Sequence, residues 1–394
     1  MARILLTWEL GSGFGHVASL AAIAGGLRRR GHEVVASLRE PRRGESFFAP
    51  LGVRTLATPV LPASPLTVTP IATYADLLAS VGFGQVDSLQ EMVAGWDRIF
   101  AEVNPDAVVF DHSPFALLAA VGSRFGKLQH GTGFYIPPDT KPLPMLRPWL
   151  LRDLQEALDR EAGVLSAVNQ ILKGRDQIPW ERLGSLYSSC ESWLATYEEL
   201  DHFGARNGAT YRGITPPPEG LQPDWPAVDG PRIFAYLQSD VTSLTIVRAL
   251  AELGYPSIVR VAGASPSQEM PDSKSMHWVH QAVNVPRVAD ECDLAVLSGG
   301  HGTVAAVLLA GKPVLIAPIQ FEQLLLAKRC EQLGLGAATP PAQVHHLKDF
   351  IARLLPGTHT REAAASFAER YRHQDLTQQM DSVVARIEQL AARP

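Results

Sequence analysis

This chain of 394 residues contains few cysteines, and they do not form the paired pattern of a disulfide-bonded protein. Its three cysteines, Cys190, Cys292 and Cys330, are odd in number, lie far apart and contain no C-x-x-C pair. Such a pattern is typical of incidental reduced thiols rather than of a disulfide framework. We therefore expect the protein to work in a reducing compartment, the cytoplasm.

Long apolar runs and an excess of basic charge are also lacking. No stretch reaches the roughly 18 consecutive apolar residues of a membrane span. The N-terminal segment is too short for a signal peptide and predicts a β-strand instead. The formal charge of -5 is unlike that of a nucleic-acid-binding protein with a basic face. We expect neither a membrane span nor a nucleic-acid partner, although helix N-termini can still bind an anionic ligand.

The length and composition of the chain suit two globular domains. Its 394 residues, 46% of them hydrophobic, exceed the ~100–200 residues of a single domain. Residues 216–230 are rich in Pro and Gly and predict an interdomain linker. We therefore predict one domain over 1–215 and a second over 231–375. A final helix over 376–394 can pack back on the first domain.

Segments with strand and helix patterns alternate in both halves, which predicts two doubly wound, Rossmann-like α/β domains. We expect these domains to face each other across a cleft, with a ligand at the carboxyl ends of their strands. The predicted strands cover 4–8, 33–38, 107–110, 127–129, 232–237, 257–261, 294–297 and 313–316, and another ends at Trp278. The predicted helices cover 17–30, 74–103, 115–125, 149–172, 241–253, 301–310, 324–333, 361–371 and 376–391.

A glycine-rich turn, Gly11-Ser12-Gly13-Phe14-Gly15-His16, follows the first strand. A dinucleotide phosphate loop is one interpretation, but the spacing is G-x-G-x-G-H and no acidic residue ends the second strand cleanly. The glycines could instead let the loop pass close to a substrate. His16 would then lie at a helix start, which favours the neutral imidazole that a general base needs. An ordinary N-cap histidine is the structural alternative.

Two further strand ends carry polar residues. Asp111 follows an apolar strand and could accept a hydrogen bond from the His16 imidazole, or could simply cap the next helix. His130 ends the next strand, where acceptor contact is a reasonable expectation. In the second half, the sequence SGGHGT over 298–303 follows a strand and starts a helix. That geometry suits phosphate binding by backbone N–H groups, and a tight turn without a ligand is the alternative.

Several pieces of the C-terminal half occur together in an order that resembles a known signature. They are HWVHQ over 277–281, ADECDL over 289–294, SGGHGT over 298–303 and GKPVLIAPIQFEQ over 311–323. Together they are similar to the donor-binding signature of the UDP-glycosyltransferase superfamily, and most of all to bacterial macrolide and antibiotic glycosyltransferases. The N-terminal Gly15-His16-Val17 and Phe110-Asp111 resemble that family's acceptor domain.

The resemblance implies a GT-B fold and a transferase that inverts the anomeric carbon without a metal or other cofactor. A sugar would move from a UDP- or dTDP-type donor, bound by 231–375, to a hydroxyl of a small molecule or natural product, bound by 1–215. His16 would be the base and Asp111 its partner. Acceptor-side residues would be Gly13, Phe14, Gly15 and His130. Donor-binding residues would be Ser239, Trp278, Gln281, Ser298, Gly299, Gly300, His301, Gly302, Thr303, Glu322 and Gln323.

Elementary electrostatics agrees with the implied chemistry, because amides preorganised at a helix start stabilise a diphosphate that gains charge as it leaves. The sequence also lacks an Asp-x-Asp pair to hold a divalent ion. Three positions depart from the family. Ser298 stands where His is usual, Ala306 where many members have an acidic residue, and Leu237-Gln238-Ser239 where the strand usually ends in Gly-Ser.

Two other functions remain open at this point. A non-hydrolysing sugar-nucleotide epimerase can share the fold and would need cleft carboxylates but no acceptor pocket. A catalytically silent glycosyltransferase-like subunit would bind a partner and would need neither His16 nor Asp111. For the enzyme itself we expect a monomer or a homodimer.

Overall fold

The computed structural model describes residues 1–61, 70–264, 271 and 273–392. By its internal contacts the chain divides into two compact units. The first unit contains Met1–Tyr197, Ala205–Thr215 and Leu376–Pro394, and the second contains Glu198–Gly204 and Pro216–Asp375. The second unit therefore begins at the first residue of the predicted linker. It also takes a short segment from the N-terminal half, which the sequence did not indicate.

Each unit contains a six-stranded, fully parallel sheet. The strand order is β3-β2-β1-β4-β5-β6 in the first and β12-β11-β10-β7-β8-β9 in the second. Counted within each unit, both orders are the doubly wound order, and its direction reverses between the first and fourth strands. The strands are β1 Arg3–Trp8, β2 Glu33–Leu38, β3 Arg54–Ala57, β4 Ala107–Asp111, β5 Gly126–Gly131, β6 Glu191–Leu194, β7 Ile233–Gln238, β8 Ser257–Ala262, β9 Met276–Trp278, β10 Leu294–Leu297, β11 Val314–Ile316 and β12 Gly336–Ala338.

Helices connect the strands on both faces of each sheet, as right-handed crossovers require. In the part of the chain that the structure describes, no helix has both the length and the apolarity to cross a bilayer. The helices are α1 Phe14–Arg29, α2 Pro41–Phe48, α3 Tyr74–Ser80, α4 Val86–Val103, α5 Pro114–Ala119, α6 Leu154–Gly174, α7 Ser185–Ser188, α8 Val241–Leu253, α9 Val285–Glu291, α10 His301–Leu309, α11 Phe321–Gln332, α12 Leu347–Leu354, α13 Thr358–Tyr371 and α14 Leu376–Ala391.

Two helices predicted as continuous are shorter in the structure. The segment 74–103 is divided between α3 and α4 at Gly82, whose φ of 114° lies in the left-handed region. The helix predicted over 115–125 ends at Ala119, and Gly122 follows with a φ of 80°. In both cases a glycine takes a backbone conformation that a helix cannot continue.

The last helix, α14, completes the core of the first unit. Val384 and Ile387 are fully buried in the cluster that also contains residues of β1, β2 and α1. The packing is so close at Gly26 that an added Cβ would lie 2.6 Å from Val384 Cγ2. Glu388 accepts hydrogen bonds from Arg30 and pairs with His32 at the surface end of this contact. The first unit thus depends on residues from both ends of the sequence.

The segment 198–204 is attached to the second unit through Glu199. The Arg329 guanidinium donates to the Glu199 carbonyl at 3.0 Å, and the Tyr371 hydroxyl donates to its carboxylate at 2.5 Å. Arg370 forms an ion pair with the same carboxylate. These contacts hold the segment against α11 and α13 of the second unit.

Candidate active site

His16 lies just after the loop that follows β1 in the first unit. Gly11 and Gly13 have φ values of 89° and 97°, which only glycine adopts without strain, and they turn the chain directly into α1. The helix begins at Phe14, so His16 is in its first turn. The sequence therefore placed the histidine correctly, although α1 begins three residues earlier than its apolar pattern predicted.

His16 and Asp111 form a buried pair at the switch point of the first sheet. Trp8 and Asp111 are register partners, so β1 and β4 end side by side. The Nδ1 atom of His16 lies 2.9 Å from Asp111 Oδ1, and each side chain is only 3% exposed. A carboxylate can only accept a hydrogen bond, so the pair favours a proton on Nδ1 and a lone pair on Nε2. Such an imidazole can take a proton at Nε2 while Asp111 stabilises the cation formed.

Aromatic rings hold the imidazole of His16 in place. The Trp8 ring stacks on it with centroids 5.1 Å apart, and Tyr135 lies 4.6 Å away. Tyr135 can reach this position because residue 131 is a glycine. A Cβ at Gly131 would lie only 3.0 Å from the Tyr135 ring. The ring of His16 is therefore oriented by a carboxylate and by packing, as a preorganised base requires.

The other residues predicted for the acceptor side occupy two different environments. His130 ends β5 beside Asp111 and is buried, and burial lowers its pKa while Asp111 opposes the shift. Phe14 is 41% exposed, and its ring lies 6.1 Å from Phe47 and 5.3 Å from the Arg43 guanidinium. Gly15 has open space around its missing Cβ. Phe14 can thus contact a ligand at the surface, whereas His130 belongs to the buried network around Asp111.

Three residues near His16 were not predicted from the sequence. Glu9 is buried and accepts hydrogen bonds from the Trp96 indole and the Phe115 N–H, which joins the end of β1 to α5. Burial raises the pKa of Glu9 to about 8, against the effect of its donors. His112 and Tyr135 are the other two. Position directly after a strand could have indicated Glu9 and His112, but no local pattern indicates Tyr135.

In the second unit, the loop 298–300 joins β10 to α10 at the switch point of the sheet. Gly299 has a φ of 99°, and a Cβ there would lie 2.8 Å from Ile316 Cγ2. Gly300 and Gly302 have nothing within 4 Å of a missing Cβ, and no side chain caps the start of α10. Packing therefore explains the glycine at 299 but not those at 300 and 302. Open glycines at an uncapped helix start are what an approaching phosphate needs.

Ser298 uses its side chain within the protein. Its Oγ accepts a hydrogen bond of 2.8 Å from the Gln238 N–H, which links the end of β10 to the end of β7. The Ser298 hydroxyl can still donate a hydrogen bond to a ligand through its own proton. Ser239, which follows Gln238, is exposed at the same strand end. The predicted phosphate contacts of Ser298 and Ser239 are thus both compatible with their positions.

The predicted sugar-binding pair on α11 divides into one partly exposed residue and one buried, structural residue. Gln323 is 3% exposed, and its Oε1 accepts from the Ile319 N–H at 2.9 Å. Glu322 is more exposed, and its carboxylate lies 3.9 Å from His202 Nε2. Of the two, Glu322 is the side chain better placed to meet a sugar, while Gln323 fixes the loop before the helix.

His301 turns into the second unit. It is 6% exposed, burial lowers its pKa to about 4, and the Leu200 backbone opposes that shift. Its ring lies 5.5 Å from that of His202, a residue of the segment 198–204 that the sequence did not indicate. A neutral, inward-facing imidazole gives no charge to a phosphate, so the anion-binding groups of this loop are its backbone and Thr303.

Trp278 and Gln281 lie at the other end of the second sheet. Trp278 ends the edge strand β9 and is half-buried against the core, while Gln281 is exposed. Strands β9 and β10 are separated by β8 and β7, so their ends are about 14 Å apart. An extended nucleoside diphosphate can span that distance between Trp278 and the glycine loop.

No family model matches the chain, and similarity to curated proteins covers only part of it. The TDP-daunosamine transferase DnrS of Streptomyces peucetius is 27% identical over 199 residues, 46% of this chain and 44% of the relative. The zeaxanthin glucosyltransferase of Pseudescherichia vulneris is 36% identical over 135 residues, 32% of either chain. The matched segments span less than half the length of these curated relatives.

Solved structures match the whole chain. The calicheamicin glycosyltransferase CalG4 superposes with a TM-score of 0.70 at 18% identity, covering 100% of this chain and 98% of that one. The glycosyltransferase VinC, solved in complex with dTDP, gives 0.66 at 18% identity and covers 100% of both chains. At these identities the solved structures share the fold of this chain. They confirm the predicted two-domain GT-B fold.

Proposed function

We propose that this chain is an inverting glycosyltransferase that moves a sugar from a nucleoside diphosphate to an acceptor hydroxyl without a metal ion. The buried His16–Asp111 pair carries the proposal, because it provides an oriented imidazole with a lone pair on Nε2. Partial similarity to named sugar transferases supports the same chemistry.

In the proposed reaction, Nε2 of His16 takes the proton of the acceptor hydroxyl. The acceptor oxygen forms a bond to the anomeric carbon as the bond from that carbon to the diphosphate oxygen breaks. Attack from the side opposite the leaving group inverts the anomeric configuration. Asp111 stabilises the imidazolium that results and does not itself become protonated.

The donor would be bound by the second unit. The backbone of residues 299–302, with Thr303, would hold the diphosphate and stabilise the charge it gains on leaving. Trp278 would stack on the base with Gln281 beside the nucleoside, and Glu322 would bond the sugar. Ala306 offers no carboxylate to a ribose, which keeps both UDP- and dTDP-type donors open.

The acceptor would be a small molecule or natural product with an apolar body. Phe14 is exposed beside the turn that leads to His16, and the partly exposed ring of Tyr135 lies against the imidazole itself. The relative named zeaxanthin glucosyltransferase agrees with such an acceptor. An apolar ring surface beside the base favours burial of an aglycone over a free sugar.

A product screen tests this proposal. The protein is incubated with UDP- and dTDP-sugars in the presence of EDTA, with and without phenol, polyketide and carotenoid acceptors, and products are read by mass spectrometry and NMR. We expect a glycoside of inverted configuration that forms only when an acceptor is added. Epimerised donor without acceptor would identify an epimerase, and failure to bind any nucleotide would identify a silent subunit.

A further inference from the structure

A second imidazole, that of His112, lies beside His16. The two ring centroids are 6.1 Å apart and the planes differ by 21°. Both rings approach the same face of Gly11: a Cβ added there would lie 2.6 Å from His16 Nε2 and 3.5 Å from His112 Nδ1. Gly11 is itself exposed to solvent. Two nitrogens of different histidines therefore converge beside an exposed loop residue.

The two ring nitrogens of His112 are poorly satisfied by the rest of the protein. The residue is 7% exposed, and within the described ranges neither ring nitrogen has a hydrogen-bond partner of good geometry. Burying a polar group without a partner costs free energy, so such groups in native proteins need an explanation. A ligand that supplies the missing partner is one.

The position of His112 is nevertheless firmly fixed. Its ring stacks on Tyr135 with centroids 4.7 Å apart and meets Phe134 edge-on at 6.0 Å. Its carbonyl accepts from the Leu10 N–H at 3.1 Å. Its φ of 44° is left-handed, which is uncommon for a residue other than glycine and is often retained at functional sites. The ring is thus held ready in one place rather than buried by chance.

Burial also favours the neutral form of the His112 imidazole. Burial lowers its pKa well below the ordinary value, a charge on His16 lowers it further, and the Leu10 backbone opposes both effects. A neutral imidazole has one N–H donor and one lone pair. When Nε2 of His16 accepts the proton of a hydroxyl, the oxygen can only accept further hydrogen bonds, so a second imidazole beside it must donate.

We propose that His112 contacts the acceptor, donating a hydrogen bond from Nδ1–H to the same oxygen that His16 deprotonates. This inference rests on the proposed glycosyl transfer. The hydroxyl proton passes to His16, and His112 keeps its own proton while it stabilises the negative charge that grows on the oxygen. The contribution of His112 to the transfer rate is therefore largest for acceptor hydroxyls with the highest pKa.

Substituted phenols of graded pKa, with the donor found by the product screen, test the assignment. In His112→Asn an amide can occupy the place of Nδ1, and Asn tolerates the left-handed backbone. In His112→Gln the longer side chain carries the amide to the place of Nε2 instead of that of Nδ1. We expect His112→Gln to lower kcat/KM by about 100-fold for the least acidic phenol and by less than tenfold for the most acidic. His112→Asn should stay within about tenfold of the wild type throughout.

A structural role for His112 would give another pattern. Equal losses across the phenol series, or equal losses in the Asn and Gln variants, would overturn the assignment. Thermal unfolding of both variants shows whether the first unit is intact, and His112→Phe keeps the ring stack without either nitrogen. If the wild type glycosylates the phenols and His112→Phe does so equally well, His112 has no such role although the transferase proposal stands. If the wild type transfers to no acceptor, both proposals fail.

Discussion

Single residues at the ends of strands carry most of the chemistry that we propose for this chain. Asp111 ends β4, His130 ends β5, and His16 follows the loop after β1. Carboxyl ends of parallel strands meet at one edge of a sheet, so these residues could be grouped from sequence alone. His112 directly follows β4 and could have been added to the group, although its left-handed backbone could not be predicted. Tyr135 could not, because it lies in the loop beyond the end of β5, where no local pattern fixes the ring.

Burial of neutral histidine makes stability sensitive to acid, and His301 in the second unit is one such case. Its pKa is about 4 in the folded protein, against 6.5 for an unperturbed histidine. Between these values the unfolded chain binds the extra proton, so the stabilisation is complete above pH 6.5 and is lost as the pH falls to about 4. The difference corresponds to about 3 kcal/mol in the free energy of unfolding.

We therefore expect the second unit to lose about 2 kcal/mol of its unfolding free energy between pH 7 and pH 5 through His301 alone. Urea unfolding, followed by hydrogen exchange in peptides of β10, measures this loss. His301→Gln should have a shallower pH dependence, and His345→Gln, at an exposed position, should match the wild type. Equal slopes in all three proteins would mean that His301 is not the group that titrates.

At the scale of elements, apolar periodicity predicted the central strands and most of the long helices. β2, β10, α8 and α14 have the bounds that the sequence indicates. These elements have clear apolar patterns, and β10, α8 and α14 each follow directly after an Asp, which leaves little ambiguity. The edge strands β3, β6 and β12 were missed because they are short and only partly buried, and a short exposed segment has no distinctive pattern.

The contact between α1 and α14 depends on a single missing methyl group. Gly25 and Gly26 are adjacent in α1, yet a Cβ lies 2.6 Å from Val384 at Gly26 and no closer than 3.4 Å to anything at Gly25. Gly26→Ala should lower the unfolding free energy of the first unit by about 1–3 kcal/mol through overpacking. Gly25→Ala should raise it by up to about 1 kcal/mol through helix propensity. Urea unfolding of both variants measures these opposite changes in unfolding free energy. If α14 does not pack against Gly26, the two variants should not differ.

At the scale of the whole molecule, chain order and spatial order differ at two places. The helix α14 returns to the first unit, and residues 198–204 belong to the second. The resemblance to a known family suggested the first of these, because composition alone cannot tell where a terminal helix docks. Nothing in the sequence indicated the second, since it depends on Arg329 and Tyr371 meeting Glu199 from distant positions.

The whole molecule has the GT-B architecture, in which each unit repeats one doubly wound topology. In each unit the candidate site lies where the strand order reverses: the His16–Asp111 pair in the first, the loop 298–303 in the second. This repetition gives the proposed transferase one unit for the acceptor and one for the donor. A substitution in the first unit should therefore change transfer and leave nucleotide binding unchanged.

The most direct test compares single-turnover sugar transfer with nucleotide affinity in His16→Ala, with the exposed His345→Ala as control. Because the variant lacks the base but retains the donor loop, we expect transfer to fall by about three orders of magnitude. The Kd for UDP or dTDP should remain within about twofold of the wild-type value, and the control should behave as the wild type. A His16→Ala protein that transfers sugar within about tenfold of the wild-type rate would contradict the account.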